Sequence, residues 1–282
     1  MIRFAAPIEV YHSLPHHPGW KWEYFGGEVV ATPRPKSCSC VKTFGPGDPA
    51  ADLPPDLRDA ETHDGGGVAT RPVTDADWEG LPGLLDRAFC RTAPFAQMAE
   101  ERSFEVAQEC MTNVRGGRWG PLIEPACLVI EGEPRFRSKD EPEGPATLGA
   151  LLVTLYRPSS DDDPLFEWRP AKNPPPDWLG TNWGRPHLTW AFVNWWDARH
   201  GLGTRLLTDA CRALRTLGYG ELTSTFLTGN HQSAFWHWRN GFRLLSGPQS
   251  MRTFRMNRRR ERRAKRKADE RDVEATDRVP DA

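Results

Sequence analysis

Regular alternation of apolar and polar residues begins near Val68. Residues 68–73 read as a short strand, and Thr74 followed three positions later by Asp77 suits a helix start. Trp78, Leu81, Leu84, Leu85, Ala88 and Phe89 then recur at helical spacing, which predicts one apolar stripe on an amphipathic helix. A second helix is expected within 95–114, closed by Gly116 and Gly117. Strands are expected at 127–130 and 147–156, joined by a polar, Pro-rich connection. Residues 157–186 carry little periodicity and read as an insertion. Beyond them the pattern predicts a strand at 187–194, a helix at 202–217, a strand at 221–227, a helix at 233–240 and a last strand at 251–256. The order implies a mixed α/β (α+β) fold with a mostly antiparallel sheet flanked by helices. It lacks the strict strand–helix alternation of a doubly wound nucleotide fold.

The first 67 residues read differently. Trp20, Trp22 and Tyr24 alternate with polar residues, Gly26-Gly27 offers a turn, and Val29-Val30 follow, so a hairpin is expected. Residues 32–67 are rich in Pro, Gly and Asp and read as a linker. We therefore expect an N-terminal extension over 1–67, one domain over 68–257 and a charged, disordered tail over 258–282.

Composition narrows the class. The 282 residues are 38% hydrophobic and 27% charged, and no run of about 18 apolar residues is present, so no transmembrane helix is expected. Pro7 and Glu9 interrupt the apolar start, which is unlike a secretory signal. Six cysteines without a CxxC pair point to a reducing, cytoplasmic setting. His12, His16, His17, Cys38 and Cys40 match no usual zinc spacing, so no metal is expected. The net charge of −1 hides a split. Residues 252–282 hold twelve basic and seven acidic side chains, a balance of +5, against −6 for the remainder.

The stretch 188–207 carries the chemistry. It is an apolar strand, a short polar turn, Gly201-Leu202-Gly203, and an amphipathic helix that begins with Thr204 in its first turn. Glycines at a helix start let a ligand approach the backbone and leave N–H donors for a phosphate or pyrophosphate. The third glycine of a dinucleotide fingerprint and the lysine of a Walker loop are both absent, which lowers the NAD and ATP readings.

Downstream, Asn230, Ser233, Trp236, Gly241 and Phe242 follow the pattern Asn-x-x-Ala/Ser-x-x-Phe-Tyr-x-x-x-Gly-Phe. This resembles the last motif of the GNAT superfamily of N-acetyltransferases. The segment around Gly201 and Gly203 is similar to that family's acetyl-CoA motif, Gln/Arg-x-x-Gly-x-Gly/Ala, with Ala198 where Gln or Arg is usual. The resemblance extends weakly over 68–256. It implies an acetyl-CoA-dependent acyltransferase acting on a primary amine, with acetyl-CoA as acyl donor and no metal. The implied binding residues are Phe192, Val193, Arg199, His200, Gly201, Leu202, Gly203, Thr204, Asn230 and Ser233. The Val193 amide would stabilise the oxyanion of the thioester carbonyl. Asn230 would fix the cofactor or cap the final helix. His237 stands at the family's tyrosine position and would act as acid; His187, at the start of the central strand, would act as base with an ordinary pKa of about 6.5. The acceptor would be shaped by the two early helices and the 157–186 insertion. The basic run 258–267 would give weak contact with polyanions. A non-catalytic acyl-CoA-binding or nucleic-acid-associated module is the alternative.

Overall fold

The run 146–156, ATLGALLVTLY, has too few polar positions for a strand with one wet face. It forms the buried centre of the main sheet. The structure is a computed structural model and describes residues 2–14, 20–33, 37–44, 68–92, 95–136, 143–158, 169–198, 200–227 and 230–244. The chain begins with β1 (Ile2–Ala5), α1 (Ile8–Ser13), β2 (Trp20–Phe25) and β3 (Glu28–Pro33). These strands form a small antiparallel sheet in the order β1-β3-β2. The expected hairpin is β2–β3, turning at Gly26 and Gly27 with φ of 57° and 88°, the positive pair that a tight hairpin turn requires.

The rest follows as β4 (Ser37–Thr43), β5 (Ala69–Pro72), α2 (Asp77–Phe89), α3 (Glu100–Arg115), β6 (Leu128–Gly132), β7 (Ala146–Tyr156) and β8 (Arg185–Val193). Then come α4 (Leu202–Thr216), β9 (Glu221–Leu227), α5 (His231–Arg239) and β10 (Arg243–Leu244). Seven strands make one sheet, β10-β4-β9-β8-β7-β6-β5, antiparallel except where β8 meets β9. The mixed, mostly antiparallel architecture expected from the sequence is the one observed.

Helices cover both faces of this sheet. On one, Leu207, Cys211 and Leu214 of α4 pack on Leu151, Val153, Leu155 and Leu222. On the other, Leu81, Leu84 and Leu85 of α2 and Val106 and Met111 of α3 pack on Val129, Ala150 and Leu152. Successive β7 residues thus feed opposite cores, and each buried leucine contributes about 1.5–3 kcal/mol over an exposed one. Arg71 in β5 ties the edge, bonding Asp77 at 2.7 and 2.8 Å and Glu131 at 2.6 and 3.0 Å. The Arg71 bonds to Asp77, with those from Thr74, hold its carboxyl down at about 2.

One organisational expectation changes. The linker read over 32–67 contains β4, which pairs along its whole length with β9 and carries β10 on its other edge. The domain therefore does not start at residue 68. Lys42 of β4 is 2% exposed, and its Nζ donates to the carbonyl of Asn240 at 2.9 Å, at the C-terminal end of α5 where a cation is favoured. The described part of the 157–186 insertion packs at the Arg185 end of β8. There Tyr219 donates to the Trp183 carbonyl and the Asn182 amide to the Gly218 carbonyl. Strand 251–256, the 258–282 tail, His16 and His17 lie outside the described residues. Among the described residues no helix is long and apolar enough to cross a membrane, and no cluster of three His, Cys, Asp or Glu could hold a metal.

Candidate functional site

β8 and β9 are parallel neighbours that pair at two positions only, His187 with Thr223 and Leu188 with Ser224. Beyond them β8 runs on to Val193 and β9 to Leu227 without pairing with each other, so the sheet opens as a V. The cause is local. The register between β7 and β8 slips at Leu152/Val153, opposite Trp190 and Leu188, which leaves Thr189 as an extra residue. Such a bulge bends its strand and increases its twist. Past the bulge β8 stays on β7, and Asn194 N–H donates to the Leu148 carbonyl at 2.7 Å. Hydrogen-bonded and non-bonded pairs alternate along antiparallel strands, so Val193, paired with Gly149, directs its N–H and C=O away from β7 and into the V. Gly149 permits the close approach: a Cβ there would sit 2.9 Å from the Phe192 carbonyl oxygen.

At the open end of the V, α4 begins. Gly201 is its N-cap at φ 77° and ψ −7°, a left-handed conformation that favours glycine, and its carbonyl accepts the first helical bond from Arg205 at 2.9 Å. Among the described residues no side chain caps this helix, which leaves its first N–H groups and the positive end of its dipole to an anion. A Cβ on Gly203 would lie 3.3 Å from Trp236 Nε1 and 3.8 Å from Val193 Cγ2, so the α4 start, the β8 end and α5 converge here. Leu202 packs partly buried on the core, and Thr204 is buried with its carbonyl accepting from Thr208. His200 is exposed, and its Nδ1 accepts from Arg135 Nη2 at 3.2 Å. Asp197, 2% exposed, fixes the turn by accepting from Arg135 N–H at 2.9 Å and from the Asn194 amide at 3.0 Å. Phe192 faces the α2/α3 core rather than the V. Arg199 lies outside the described residues.

α5 closes the other flank. Asn230 Oδ1 accepts from Ser233 N–H at 3.0 Å, which makes it the helix cap. The Ser233 carbonyl accepts from His237 Nδ1 at 2.7 Å. That proton placement leaves His237 Nε2 to accept from Ser224 Oγ at 2.9 Å. The ring stacks on Phe226 and meets Trp236 and Phe242 edge-on, and burial pushes its pKa down to about 4.

His187 sits at the closed end of the V, stacked on Tyr156 at 4.0 Å. The Thr223 hydroxyl donates to the Pro186 carbonyl at 2.8 Å, so at 3.1 Å it accepts from His187 Nδ1. Burial, with the charge of Arg185 adding to it, pushes the His187 pKa down to about 3. The expected acid–base pair of imidazoles titrating near 6.5 does not match these surroundings. Both rings are buried, hydrogen-bonded and neutral, and they brace consecutive β9 residues. Thr223 and Ser224 were missed by sequence reasoning, because in Glu221–Leu227 they stand beside the further polar residues Glu221 and Thr225 and nothing sets them apart. Asp197 and Arg135 left no signal either, because their contact joins two distant turns.

No protein-family model and no curated protein matches this sequence. Among solved structures the chain is similar to a GCN5-related glucosamine N-acetyltransferase region of a fungal multi-domain GH3 β-N-acetylglucosaminidase, at 11% identity and a TM-score of 0.40. That match covers 80% of this chain and 20% of the fungal one. It is also similar to a GCN5-related N-acetyltransferase from Ralstonia eutropha JMP134, at 13% identity over 60% of this chain and 89% of the other, with a TM-score of 0.36. A third, from Sphaerobacter thermophilus, shares 13% identity over 75% of this chain and 50% of the other, with a TM-score of 0.40.

Proposed function

We propose that the protein is a GNAT-type N-acyltransferase that moves an acetyl or other short acyl group from acyl-CoA to a primary amine. The observation that supports this most is the parting of β8 from β9 beside an uncapped, glycine-led helix start. The residues present fit such a donor. The N–H groups of Gly201, Leu202, Gly203 and Thr204 would take the pyrophosphate, with His200 beside them. The free edge of β8 at Val193 would pair with the amide-bearing arm as an added strand does. When bound, the donor supplies an activated thioester carbonyl. The Val193 N–H, fixed by the β7 register, is the preorganised dipole for charge developing on that carbonyl oxygen. Asn230 and Ser233 act by shaping the start of α5. The working domain is then β4 together with 68–257. Cytoplasmic residence and weak polyanion contact through 258–267 belong to the same proposal.

Proton transfer follows from the state of the histidines. An alkyl amine has a pKa near 10.4 and must lose a proton before it attacks. His187 and His237 are held neutral far below that range, so the nitrogen sheds its proton to solvent, and the rate rises about tenfold per pH unit below the amine pKa. A second reading, a non-catalytic acyl-CoA-binding module, is favoured by one observation: both His237 nitrogens are already engaged. Thiol release from acetyl-CoA, measured from pH 6 to 9 with a panel of primary amines, separates the two. Amine-dependent release that climbs with pH, and climbs equally in His187→Gln, is the expected result. Binding of acetyl-CoA without release for any amine identifies the non-catalytic module.

A further inference from the structure

On the α2/α3 side of β8 a cleft of about 310 Å³ opens between the end of α2, the start of α3 and Trp196. That volume is the scale of a small-molecule site. Asp86 and Glu100 stand on its wall, and Phe95, Met98 and Trp196 give it apolar surface. Asp86 is positioned by Ser103, itself 7% exposed, whose Oγ donates to Oδ1 at 2.5 Å. A neutral hydroxyl donor orients the carboxylate without cancelling its charge.

Two cations stand close by: Arg87 also lines the cleft, and the Arg91 guanidinium lies 5.8 Å over the ring of Trp196. Arg87 Nη1 lies 3.4 Å from the Cβ position of Gly83, one turn back along α2. The Arg91 guanidinium sits 4.5 Å over the ring of Trp195. Among the described residues neither Asp86 nor Glu100 has an ion-pair partner. The cleft also adjoins the strand that carries Val193. Trp196 lies three residues past its end, and Phe89 of α2 packs edge-on against Trp190 of β8 at 5.9 Å and on Phe95 at 5.8 Å.

We propose that this cleft is the acceptor subsite and that it takes a primary amine in its cationic form, carried on a small apolar or aromatic body. The assignment rests on the acyltransferase reading above. The carboxylates select and concentrate the ammonium, and Phe95, Met98 and Trp196 cover its apolar body. In the transfer the ammonium gives one proton to solvent, and the nitrogen forms its bond to the acyl carbon as the C–S bond breaks. The second proton that the nitrogen sheds passes to the departing sulfur.

Cys90 lines the same cleft, and it is the exposed one of the six cysteines. Its labelling by a maleimide, followed by mass spectrometry on the full chain, reads occupancy without any turnover. Phenethylamine is expected to slow Cys90 labelling by about tenfold or more, the scale of one charge-assisted hydrogen bond, while 2-phenylethanol and phenylacetate leave it unchanged. The double variant Asp86→Asn/Glu100→Gln, which keeps an acceptor for Ser103, is expected to lose this protection. It should also raise KM for phenethylamine by a similar factor without moving KM for acetyl-CoA. Equal protection by the alcohol, no protection by the amine, or a KM change shared by acetyl-CoA overturns the assignment. Failure of the acyltransferase reading appears separately, as wild-type protein that does not bind acetyl-CoA, and leaves the Cys90 result readable.

Discussion

The two sides of β8 handle polar groups in different ways. On the α4/α5 side the groups presented to the V are main-chain: the Val193 amide turned outward by the β7 register, and the uncapped N–H groups behind Gly201. The side chains there, His187, His237, Thr223 and Ser224, are bonded to one another or to carbonyls and are buried. On the α2/α3 side the groups presented to the cleft are side chains, Asp86 near the end of α2 and Glu100 at the start of α3. Main-chain donors suit a constant feature such as a pyrophosphate or an amide-bearing arm. Side-chain carboxylates are easily exchanged and suit whatever distinguishes one acceptor from another. The strand between them is shared, so each side can be disturbed while the other is watched.

The largest effects should come from the two cores. Leu85→Ala removes α2-side packing and Leu207→Ala removes α4-side packing, and both residues are 1% exposed or less. Each is expected to cost about 2–5 kcal/mol, read from the urea midpoint. Their functional consequences should divide: Leu207→Ala weakens acetyl-CoA binding, whereas Leu85→Ala raises the acceptor KM. If both move the same parameter, the two sides are not separable.

A smaller, graded effect concerns acid. The folded pKa values of His187 and His237 lie at about 3 and about 4, below the ordinary value near 6.5 that the unfolded chain restores. Between those limits the unfolded chain binds protons that the folded one refuses. Stability is therefore lost as pH falls through 6.5, and the loss continues to about 4 for His237 and about 3 for His187. Each histidine contributes a slope of about 1.4 kcal/mol per pH unit inside its window. Asp77, held at about 2 in the folded state, loses its contribution only as pH falls below its ordinary value of 3.8 and leaves the range from pH 7 to 5 clear. Urea midpoints between pH 7 and 5 should fall less steeply in His237→Phe than in wild type. An unchanged slope would mean that His237 already titrates normally in the fold.

Legibility in the sequence followed the same division. Gly201, Gly203 and the Asn230–Phe242 pattern were readable because backbone chemistry demands particular residues at fixed spacing. The Val68–Phe89 periodicity and the buried run of β7 were readable because burial repeats with the element. β4 was not. Its partner Ser224 lies 184 positions from Cys40, and the inward Lys42 breaks the apolar alternation that marks a half-buried strand. The histidines were legible but their surroundings were not, because burial and the Thr223 and Ser224 bonds depend on a strand that periodicity alone does not bring beside them. The cleft on the α2/α3 side joins residues of two helices and a turn after β8, and no spacing announces it.

Calorimetric titration of acetyl-CoA into wild-type protein and into Gly203→Val tests the central claim most directly. Valine at this position places a side chain between Trp236 and Val193, where the α4 start meets the V, and circular dichroism checks that the variant is folded. Measurable binding to wild type is expected, with a loss of about a hundredfold or more in the variant, the scale of several main-chain hydrogen bonds to an anion. Equal affinity for both proteins, or no binding to wild type, would contradict the claim.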